Sequence, residues 1–357
     1  MDTQPVKVIK TRGAVSNAED RYNQFTREAA DDGWCAEEET VRVKTTVTID
    51  SPRTIIAHNQ SPDLPFNQSI NPYRGCEHGC VYCYARPTHA YLGMSPGLDF
   101  ETKLLARPNA PELLRKELGR KGYRCSVIAM GTNTDPYQPV ERRYEITREV
   151  LIVLAECDHP VTITTKSTLI QRDIDILSDL AKQNLVQVQV SVTTMDNDLS
   201  RKLEPRAAAP ARRKETINKL TSAGIPTTIL VAPIIPFLTD KHLEHILETG
   251  AKAGAHNAAY ILLRLPLEVK ELFKEWLAEY EPLKAKHVMS LVRQYRGGRE
   301  NDATFGRRMC GTGEIADLIR QRFQIARRKF GLNKSLPPLD ESQFKPPKKN
   351  TAQLHLF

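Results

Sequence analysis

The sequence lacks the features that would direct it out of the cytoplasm. It shows no secretory signal and no long apolar run, and its seven cysteines are an odd number that disulfide pairing cannot use up. A reducing cytoplasm is therefore the expected compartment, with no membrane association. Thiols in that compartment stay free to bind metal.

Aromatic residues and acidic charge are also scarce. Aromatics make up 6% of the 357 residues, and Lys plus Arg exceed Asp plus Glu by 51 to 43, which gives a formal net charge of +8. A basic balance suits a polyanionic partner without requiring one. The hydrophobic content of 40% is enough for one barrel-sized domain or two smaller ones.

The most informative stretch runs from Asn71 to Tyr84 and reads NPYRGCEHGCVYCY. Cys76, Cys80 and Cys83 have the spacing C-x-x-x-C-x-x-C, and the glycines among them allow a tight loop. Three thiolates are one short of the four that usually complete a structural zinc site or a fully ligated iron-sulfur cluster. No fourth cysteine lies nearby in the sequence. A 4Fe-4S cluster held by three thiolates would keep one iron open to another ligand.

This cysteine spacing, with Tyr82 just before the last cysteine, resembles that of the radical SAM superfamily. The resemblance implies that the open iron binds the amino and carboxylate groups of S-adenosylmethionine. It also implies that an electron from the cluster, supplied by a donor such as a flavodoxin or ferredoxin, cleaves the sulfonium to a 5'-deoxyadenosyl radical. Two alternatives stay open here, a zinc loop completed by His78 or His89 and a disulfide pair.

After the cysteines, short β-branched runs alternate with amphipathic stretches, and this alternation predicts a parallel sheet with helical crossovers. A first strand just before Tyr73 and five later ones predict an α/β fold, a partial, TIM-like (β/α)6 barrel whose active face lies where the strands end. The five later strands are predicted at Ser126–Met130, Val161–Thr164, Val186–Val192, Thr227–Val231 and Tyr260–Leu263.

Composition divides the chain into four parts. Residues 1–44 are polar and thin in apolar periodicity, which predicts a mostly disordered segment. Residues 45–265 carry the predicted barrel, and residues 266–334 follow a helical pattern that predicts an extension packed on it. Residues 335–357 are rich in proline and lysine and are predicted to form a flexible tail.

Polar motifs follow the second and third predicted strands. In GTNTDPYQPVE, the side chains of Asn133, Thr134 and Asp135 offer the acceptors that a protonated amino group of a cofactor needs. A surface turn built on Asp135-Pro136 is the alternative. In TTKS, Lys166 can neutralise a cofactor carboxylate as a point charge, unless it is merely solvated.

The next two strands end in further motifs. Ser191 is predicted to meet ribose hydroxyls, and in LEPR we expect Arg206 to fork onto a carboxylate and Glu204 to bind ribose or Arg206. In VAPIIP, which contains Ala232, the prolines remove backbone donors and leave an apolar wall for a flat ring such as adenine. A buried strand end with a rigid turn is the alternative.

Together these motifs resemble the spore photoproduct lyase-like branch of the radical SAM superfamily, also called DNA repair photolyase-like. The resemblance covers roughly residues 46–332. It implies that the three cysteines ligate the cluster. The residues that it places along the cofactor are Tyr82, which lies by the adenine, Thr134, Lys166, Ser191 and Ala232.

The resemblance leaves the substrate open. Spore photoproduct lyases use a cysteine near the end of the second strand as hydrogen donor, and the stretch IAMGTNTD contains none. Cys125 lies at the wrong end of that strand, and Cys310, in FGRRMCGTGE, is a candidate replacement, although a lone cysteine is more often inert. We expect a lyase-like, DNA-related reaction. An RNA or protein substrate, or a non-catalytic clamp-tethered iron-sulfur protein that binds DNA, are the alternatives.

Two further features connect the chain to nucleic acid. The last residues, QLHLF, resemble the QLxLF peptide by which bacterial DNA polymerases and repair proteins dock on the sliding clamp. In it Gln353 sets the register, Leu354 follows, and Leu356 and Phe357 are apolar anchors. A tail that folds back on its own domain is the alternative.

The second feature is a basic helix, ADLIRQRFQIARRKFG, with the loop before it. Such a concentration of cations could neutralise several phosphates, and a solvated basic helix is the alternative. The residues concerned are Arg320, Arg322, Arg327, Arg328 and Lys329 on the helix and Arg293, Arg296, Arg299, Arg307 and Arg308 before it.

Overall fold

The computed structural model describes residues 12–18, 20–22 and 43–348. The predicted clamp-docking peptide, with Gln353, Leu354, Leu356 and Phe357, lies outside the described residues. So does most of the N-terminal segment that was predicted to be disordered.

Ten strands and eleven α-helices are formed by the described residues, with three short 3-10 helices between them. The strands are β1 (Thr46–Ile49), β2 (Ile56–His58), β3 (Gln68–Ile70), β4 (Tyr73–Arg74), β5 (Lys103–Ala106), β6 (Ile128–Met130), β7 (Val161–Thr165), β8 (Val186–Ser191), β9 (Thr227–Ile234) and β10 (Asn257–Leu262). The helices are α1 (Asp99–Thr102), α2 (Ala110–Leu118), α3 (Glu141–Tyr144), α4 (Ile146–Glu156), α5 (Ile174–Lys182), α6 (Asn197–Leu203), α7 (Pro210–Ser222), α8 (Leu243–Lys252), α9 (Val269–Tyr280), α10 (Pro282–Tyr295) and α11 (Glu314–Lys329).

The main sheet has seven strands in the order β10-β9-β8-β7-β6-β3-β2. Six of them, β3 and β6 to β10, run parallel, and β2 adds an antiparallel edge. Because neighbouring strands follow one another along the chain and are joined by helical crossovers, this sheet is the predicted partial (β/α)6 barrel. The α/β fold class predicted from the sequence is confirmed.

The strand bounds differ from the prediction mainly at β9 and β10. Strand β9 continues to Ile234, three residues past the predicted Val231. Strand β10 begins at Asn257, not at Tyr260, because Asn257 and the two alanines after it pair in register with β9 from Thr228 onward. Asparagine and alanine have low intrinsic strand propensity, so tertiary pairing decides their conformation.

The crossover helices bury one apolar face each against the sheet. Helix α4 illustrates the spacing, since Val150, Val153 and Leu154 are fully buried while Glu156, at its end, is exposed. Helices α9, α10 and α11 form the predicted C-terminal extension. In α9 the rings of Phe273 and Trp276 stack with centroids 5.8 Å apart. No helix in the described ranges is long and apolar enough to cross a lipid bilayer.

Residues 335–348 differ from the predicted flexible tail, because they pack against the barrel. The ring of Phe344 lies 5.3 Å from that of Tyr123 and 5.4 Å from that of His159, and Lys345 N donates to the carbonyl of Cys157 at 2.9 Å. Burial lowers the pKa of His159 to about 4, so its imidazole packs as a neutral ring. These neighbours precede β6 and β7, so the tail covers the amino-terminal edge of the sheet.

Candidate functional site

The three cysteines lie on the loop that follows β4. Gly75 and Gly79 adopt left-handed backbone angles, with φ of 75° and 67°. A Cβ atom at Gly75 would approach the Phe100 carbonyl to 2.8 Å, which a larger residue could not tolerate. The glycines therefore let the chain fold back so that Cys76, Cys80 and Cys83 come from one short turn.

Two of the three cysteine side chains are buried, and the third is half-buried. Cys76 and Cys80 are each 7% exposed, and Cys83 is half-buried. Burial raises the pKa of all three thiols, and the carboxylate of Asp135 raises that of Cys76 further. Without metal the thiols therefore stay protonated at neutral pH, and binding of iron would release their protons.

Polar side chains fix the backbone of the cysteine loop from outside. The amide of Gln138 accepts from Glu77 N at 2.9 Å and donates to the Gly75 carbonyl at 3.0 Å. The fully buried guanidinium of Arg86 donates to the Cys80 carbonyl at 2.9 Å and also forms an ion pair with Glu101. The loop geometry is thus set by the protein and does not depend on bound metal alone.

Residues 12–18 cover this loop, although the composition of the N-terminal segment gave no sign of it. The Glu101 carboxylate accepts from Gly13 N at 2.9 Å and from Ala14 N at 2.8 Å. A Cβ atom at Gly13 would lie 1.6 Å from the Gly79 carbonyl oxygen. Only glycine allows this close approach, so the segment lies directly on the turn between the first two cysteines.

The histidines of the zinc alternative are engaged elsewhere. His78 Nδ1 lies 3.3 Å from Asp135 Oδ2, and His89 Nε2 is 2.9 Å from the Lys103 carbonyl. Within residues 12–18, 20–22 and 43–348, no three His, Cys, Asp or Glu side chains are arranged to hold a metal ion. That finding concerns single ions, whereas a 4Fe-4S cluster spreads its thiolates over separate irons. Three cysteines on one buried loop therefore fit a cluster with one open iron.

A second group of polar side chains lies at the carboxyl ends of β7, β8 and β9. Lys166 Nζ donates to Ser191 Oγ at 2.6 Å and to the Ala232 carbonyl at 3.2 Å. It also lies 3.3 Å from Glu204 Oε1 and 5.7 Å from the ring centre of Tyr82. Five residues that were predicted to lie along the cofactor, each from a different motif, are therefore close together: Tyr82, Lys166, Ser191, Glu204 and Ala232.

Glu204 is the most strongly held member of this group. Its carboxylate accepts hydrogen bonds from Tyr82 and Arg213 and, at 2.6 Å, from Thr193. Burial alone would raise its pKa, but the charges of Arg213 and Lys166 outweigh burial and keep the pKa well below its usual value. Glu204 is thus ionised, and it orients the Tyr82 hydroxyl and the Lys166 ammonium together.

This geometry can bind a zwitterionic nucleoside ligand. Lys166 keeps 16% of its side chain exposed, so its ammonium can receive a carboxylate. The hydroxyl of Ser191 reaches the Ala232 carbonyl at 3.0 Å and can exchange that bond for a ribose oxygen, while the oxygen of Thr193, which donates its proton to Glu204, can accept from a ribose hydroxyl. S-adenosylmethionine presents both groups, so these residues fit it.

The predicted amino-group ligands have structural partners. Asn133 N and Thr134 N donate to Asn71 Oδ1 at 3.1 and 3.4 Å, and Thr134 Oγ1 donates to the Tyr73 carbonyl at 3.0 Å. Asp135 accepts from Lys166 N at 2.8 Å and pairs with His78. Asp135 therefore connects the cysteine loop to the end of β7, while contact of these three residues with a cofactor amino group stays a prediction.

Arg206 does not pair with Glu204, which was one of the two predictions for that carboxylate, while its contact with a cofactor carboxylate stays a prediction. It forms an ion pair with Glu77 at 2.9 Å, and its backbone N–H donates to the His78 carbonyl at 3.3 Å. Glu204 is paired with Arg213 instead, because the first turn of α7 points that side chain into the barrel, where it is 1% exposed. Arg213 was not predicted, because it stands in a basic run, ARRKE, that is typical of a solvated helix face.

The two cysteines considered as hydrogen donors lie at opposite ends of the sheet. Cys125 precedes β6 and so lies towards the amino-terminal edge. Cys310 follows Met309, whose carbonyl accepts from Leu262 N at 2.9 Å at the end of β10 and whose sulfur contacts Arg264. Cys310 is therefore near the carboxyl-terminal edge, and its role as hydrogen donor stays a prediction.

Most of the basic helix and its loop is neutralised within the protein. The arginines with acidic or buried polar partners are Arg293 with Glu300, Arg308 with Asp63, Arg320 with Asp317, Arg322 with Asp240 and Glu244, Arg327 with Asn257, and Arg296, which is buried against the carbonyls of Leu262 and Leu263. The solvated alternative is thus the better description of α11.

Comparisons with known proteins identify the family of this chain. The sequence profile of the Radical SAM superfamily matches residues 70–250, half of the chain. An uncharacterized protein of Mycobacterium tuberculosis is 40% identical over 235 residues, which cover 65% of this chain and 67% of the relative.

Two solved structures share the fold. Spore photoproduct lyase complexed with dinucleoside spore photoproduct superimposes with a TM-score of 0.55 at 16% identity and covers 84% of this chain and 85% of the lyase. A mutant of the same enzyme with bound AdoMet and dinucleoside spore photoproduct gives a TM-score of 0.54 at 15% identity, over 80% and 79% of the two chains. This chain belongs to the radical SAM superfamily, whose enzymes use a 4Fe-4S cluster and S-adenosylmethionine, and it has the fold of spore photoproduct lyase.

Proposed function

We propose that this enzyme reductively cleaves S-adenosylmethionine and abstracts a hydrogen atom from carbon in a DNA-related substrate, in a repair-like, lyase-like reaction in the cytoplasm. When bound, the cluster and S-adenosylmethionine supply one-electron cleavage of the sulfonium and the 5'-deoxyadenosyl radical. The protein residues bind and orient. Cys76, Cys80 and Cys83 hold the cluster, and Lys166 and Ser191 receive the polar groups of the cofactor.

The observation that carries the DNA-related substrate is an aromatic and cationic pair beside the cluster. Tyr84 follows the ligand Cys83, is 47% exposed and donates a hydrogen bond to the Thr132 carbonyl. The guanidinium carbon of Arg264, just beyond the end of β10, lies 5.4 Å from its ring centre. Exposed aromatic rings stack on bases, and arginines bind phosphate.

Arg264 lacks the partner that a guanidinium normally has. Among the described residues its Nε atom is buried without a hydrogen-bond partner, and Nη1 reaches only the sulfur of Met309, at 3.5 Å. Burial and the neighbouring charges of Arg308 and Arg296 lower its pKa. An anion such as a phosphate would relieve both effects.

A second pair of the same kind lies on the loop after α10. Phe305 is 54% exposed, and the guanidinium carbon of Arg308 lies 4.8 Å from its ring centre. Asp63 already neutralises Arg308, so this pair offers stacking more than charge. Two exposed aromatic rings beside arginines support a nucleic-acid strand over a peptide. The fold shared with a lyase complexed with a dinucleoside is a further argument for it.

The test compares Arg264→Gln with the native enzyme in two measurements. We expect the affinity for an ultraviolet-irradiated oligonucleotide to fall about tenfold and the salt dependence of binding to decrease by about one phosphate contact, because one cation is lost. We also expect native production of 5'-deoxyadenosine to be stimulated by irradiated DNA, and not by tRNA or a peptide.

The matched control is Arg328→Gln, which removes the same charge from an exposed position on α11. It should leave both measurements unchanged. Equal losses in the two variants would place nucleic acid on the basic helix instead. Stimulation by tRNA alone would favour an RNA substrate, and stimulation by peptide alone a protein substrate.

Docking of the C-terminal peptide on a sliding clamp remains part of the proposal. Its support is the residue pattern from Gln353 to Phe357, after a linker rich in proline and lysine. The measurement is clamp binding by the whole chain and by a chain that ends at Ala352. We expect truncation to abolish binding, and equal affinity of the two chains would discard this partner.

A further inference from the structure

A cavity of about 200 Å3 opens beside the cysteine loop, apart from the cofactor residues. Its lining comes from the loops after β6, β7 and β8 and from the cysteine loop, and comprises His78, Tyr137, Pro139, Arg142, Ser167, Thr168 and residues 206–208. None of Tyr82, Lys166, Ser191, Glu204 or Ala232 lines it. It is therefore a second depression near the cluster.

The floor of this cavity is close to the cluster ligands. His78 stands between Cys76 and Cys80 in the sequence, two residues from each, and two residues span at most about 7 Å. Its carbonyl accepts from Arg206 N, and its ring contacts Asp135, so its position is fixed. Apart from this opening His78 is buried, with 2% of its surface exposed.

The rim of the cavity carries one cation that is free to meet a partner. Arg206 is 35% exposed but pairs with Glu77, whereas Arg142, on α3, is exposed and forms no ion pair within the described residues. No aspartate or glutamate is among the described residues that line the cavity. Arg142 is thus complementary to an acidic surface.

We propose that this cavity and its rim are the docking site for an acidic, one-electron donor protein of the flavodoxin class. The inference rests on the proposed function, because reductive cleavage consumes one electron per turnover. The donor's reduced flavin loses one electron and the cluster of this chain gains it, with no bond formed or broken. A donor that contacts His78 would lie next to the cluster ligands Cys76 and Cys80, each two residues away along the chain.

The cavity suits a protein surface better than a nucleic acid. Its one aromatic residue among those lining it, Tyr137, is fully buried and cannot stack on a base. The exposed aromatic rings Tyr84 and Phe305 belong to the other group, around Arg264 and Arg308. The electron donor is therefore assigned to the cavity beside His78, and the substrate to the surface around Arg264 and Arg308.

The test uses the full chain with its reconstituted cluster and a reduced flavodoxin as probe. We expect Arg142→Glu to weaken flavodoxin binding about tenfold at low salt, with most of the difference lost at high salt, because it reverses one rim charge. Flavodoxin-driven formation of 5'-deoxyadenosine should fall in parallel, while dithionite-driven formation should stay at the native rate. Arg142→Gln should give an intermediate loss.

Arg328→Glu, the same charge reversal on α11, is the control and should bind flavodoxin as the native chain does. If Arg142→Glu binds flavodoxin normally, or loses DNA affinity instead, the docking site is overturned. If the native enzyme with dithionite forms no 5'-deoxyadenosine, the proposed function fails, and the binding measurement still decides the docking site by itself.

Discussion

Replacing Cys80 with alanine should abolish both iron incorporation and cleavage of S-adenosylmethionine. Cys80 is buried on the loop between Cys76 and Cys83, and in the described part of the chain that loop carries no further cysteine to take its place. Substitution of a residue that only hydrogen-bonds to a metal ligand already costs about 10- to 100-fold in metal affinity or activity. Loss of a ligand should therefore exceed about 100-fold. The measurements are iron per chain after anaerobic reconstitution and 5'-deoxyadenosine formed with dithionite.

Cys310→Ala is the matched control, since it removes a thiol from a partly buried position outside the cysteine loop. It should keep native iron content and native cleavage of S-adenosylmethionine without substrate. If Cys310→Ala also lost iron, Cys310 would be a fourth ligand, and the prediction of an iron that the protein leaves open would be wrong. If Cys80→Ala kept full iron and activity, the ligand assignment itself would fail.

The parts of the fold that could be predicted from sequence are those with strong local patterns. Five β-branched runs marked the strands of the barrel, and the predicted Val161–Thr164 differs from β7 by one residue. Residues 335–348 could not be predicted, because their contacts are scattered hydrogen bonds, the ion pair of Lys345 with Asp158 and one ring, that of Phe344. Such contacts leave no periodicity in the sequence.

The site residues likewise fall into those that a local sequence pattern predicted and those that it did not. Motifs at strand ends identified Lys166, Ser191 and Ala232, since the carboxyl ends of parallel strands share one edge. Arg213 and the contact of Gly13 with the cysteine loop were not predicted. Each depends on which way a side chain or a distant segment turns, and a basic residue on a helix is more often solvated.

Breaking the buried ion pair between Glu204 and Arg213 should strongly destabilise the protein. The Arg213 side chain is 1% exposed and that of Glu204 is fully buried, and removal of one partner leaves an uncompensated charge. Such changes cost about 3–5 kcal/mol. We expect Glu204→Gln to lose that much in the free energy of unfolding, because no other carboxylate pairs with Arg213 in the described residues. Arg213→Met should lose less, since Lys166 still faces Glu204 at 3.3 Å.

The double variant Glu204→Gln/Arg213→Met separates this pair from simple loss of packing. With both charges absent, the cost should be well below the sum of the two single losses, as urea unfolding of the iron-free chains would show. Losses that add fully would mean that the two groups do not interact. The pair would then have no part in holding Tyr82 and Lys166.

The same pair should make the free energy of unfolding depend on pH, and the direction follows from the lowered pKa of Glu204. A carboxyl group with a lowered pKa in the folded state contributes stability above its ordinary pKa of about 4.3, and that contribution is lost as the pH falls towards the folded value. Glu204→Gln has no such proton to bind. Its deficit against the native chain should therefore shrink as the pH falls from about 5 to about 3, since the native chain then loses the contribution that the variant already lacks. A deficit that stays constant over this range would show that Glu204 is not held as an ion, and its role in orienting the Lys166 ammonium would have to be assigned to Ser191 and the Ala232 carbonyl alone.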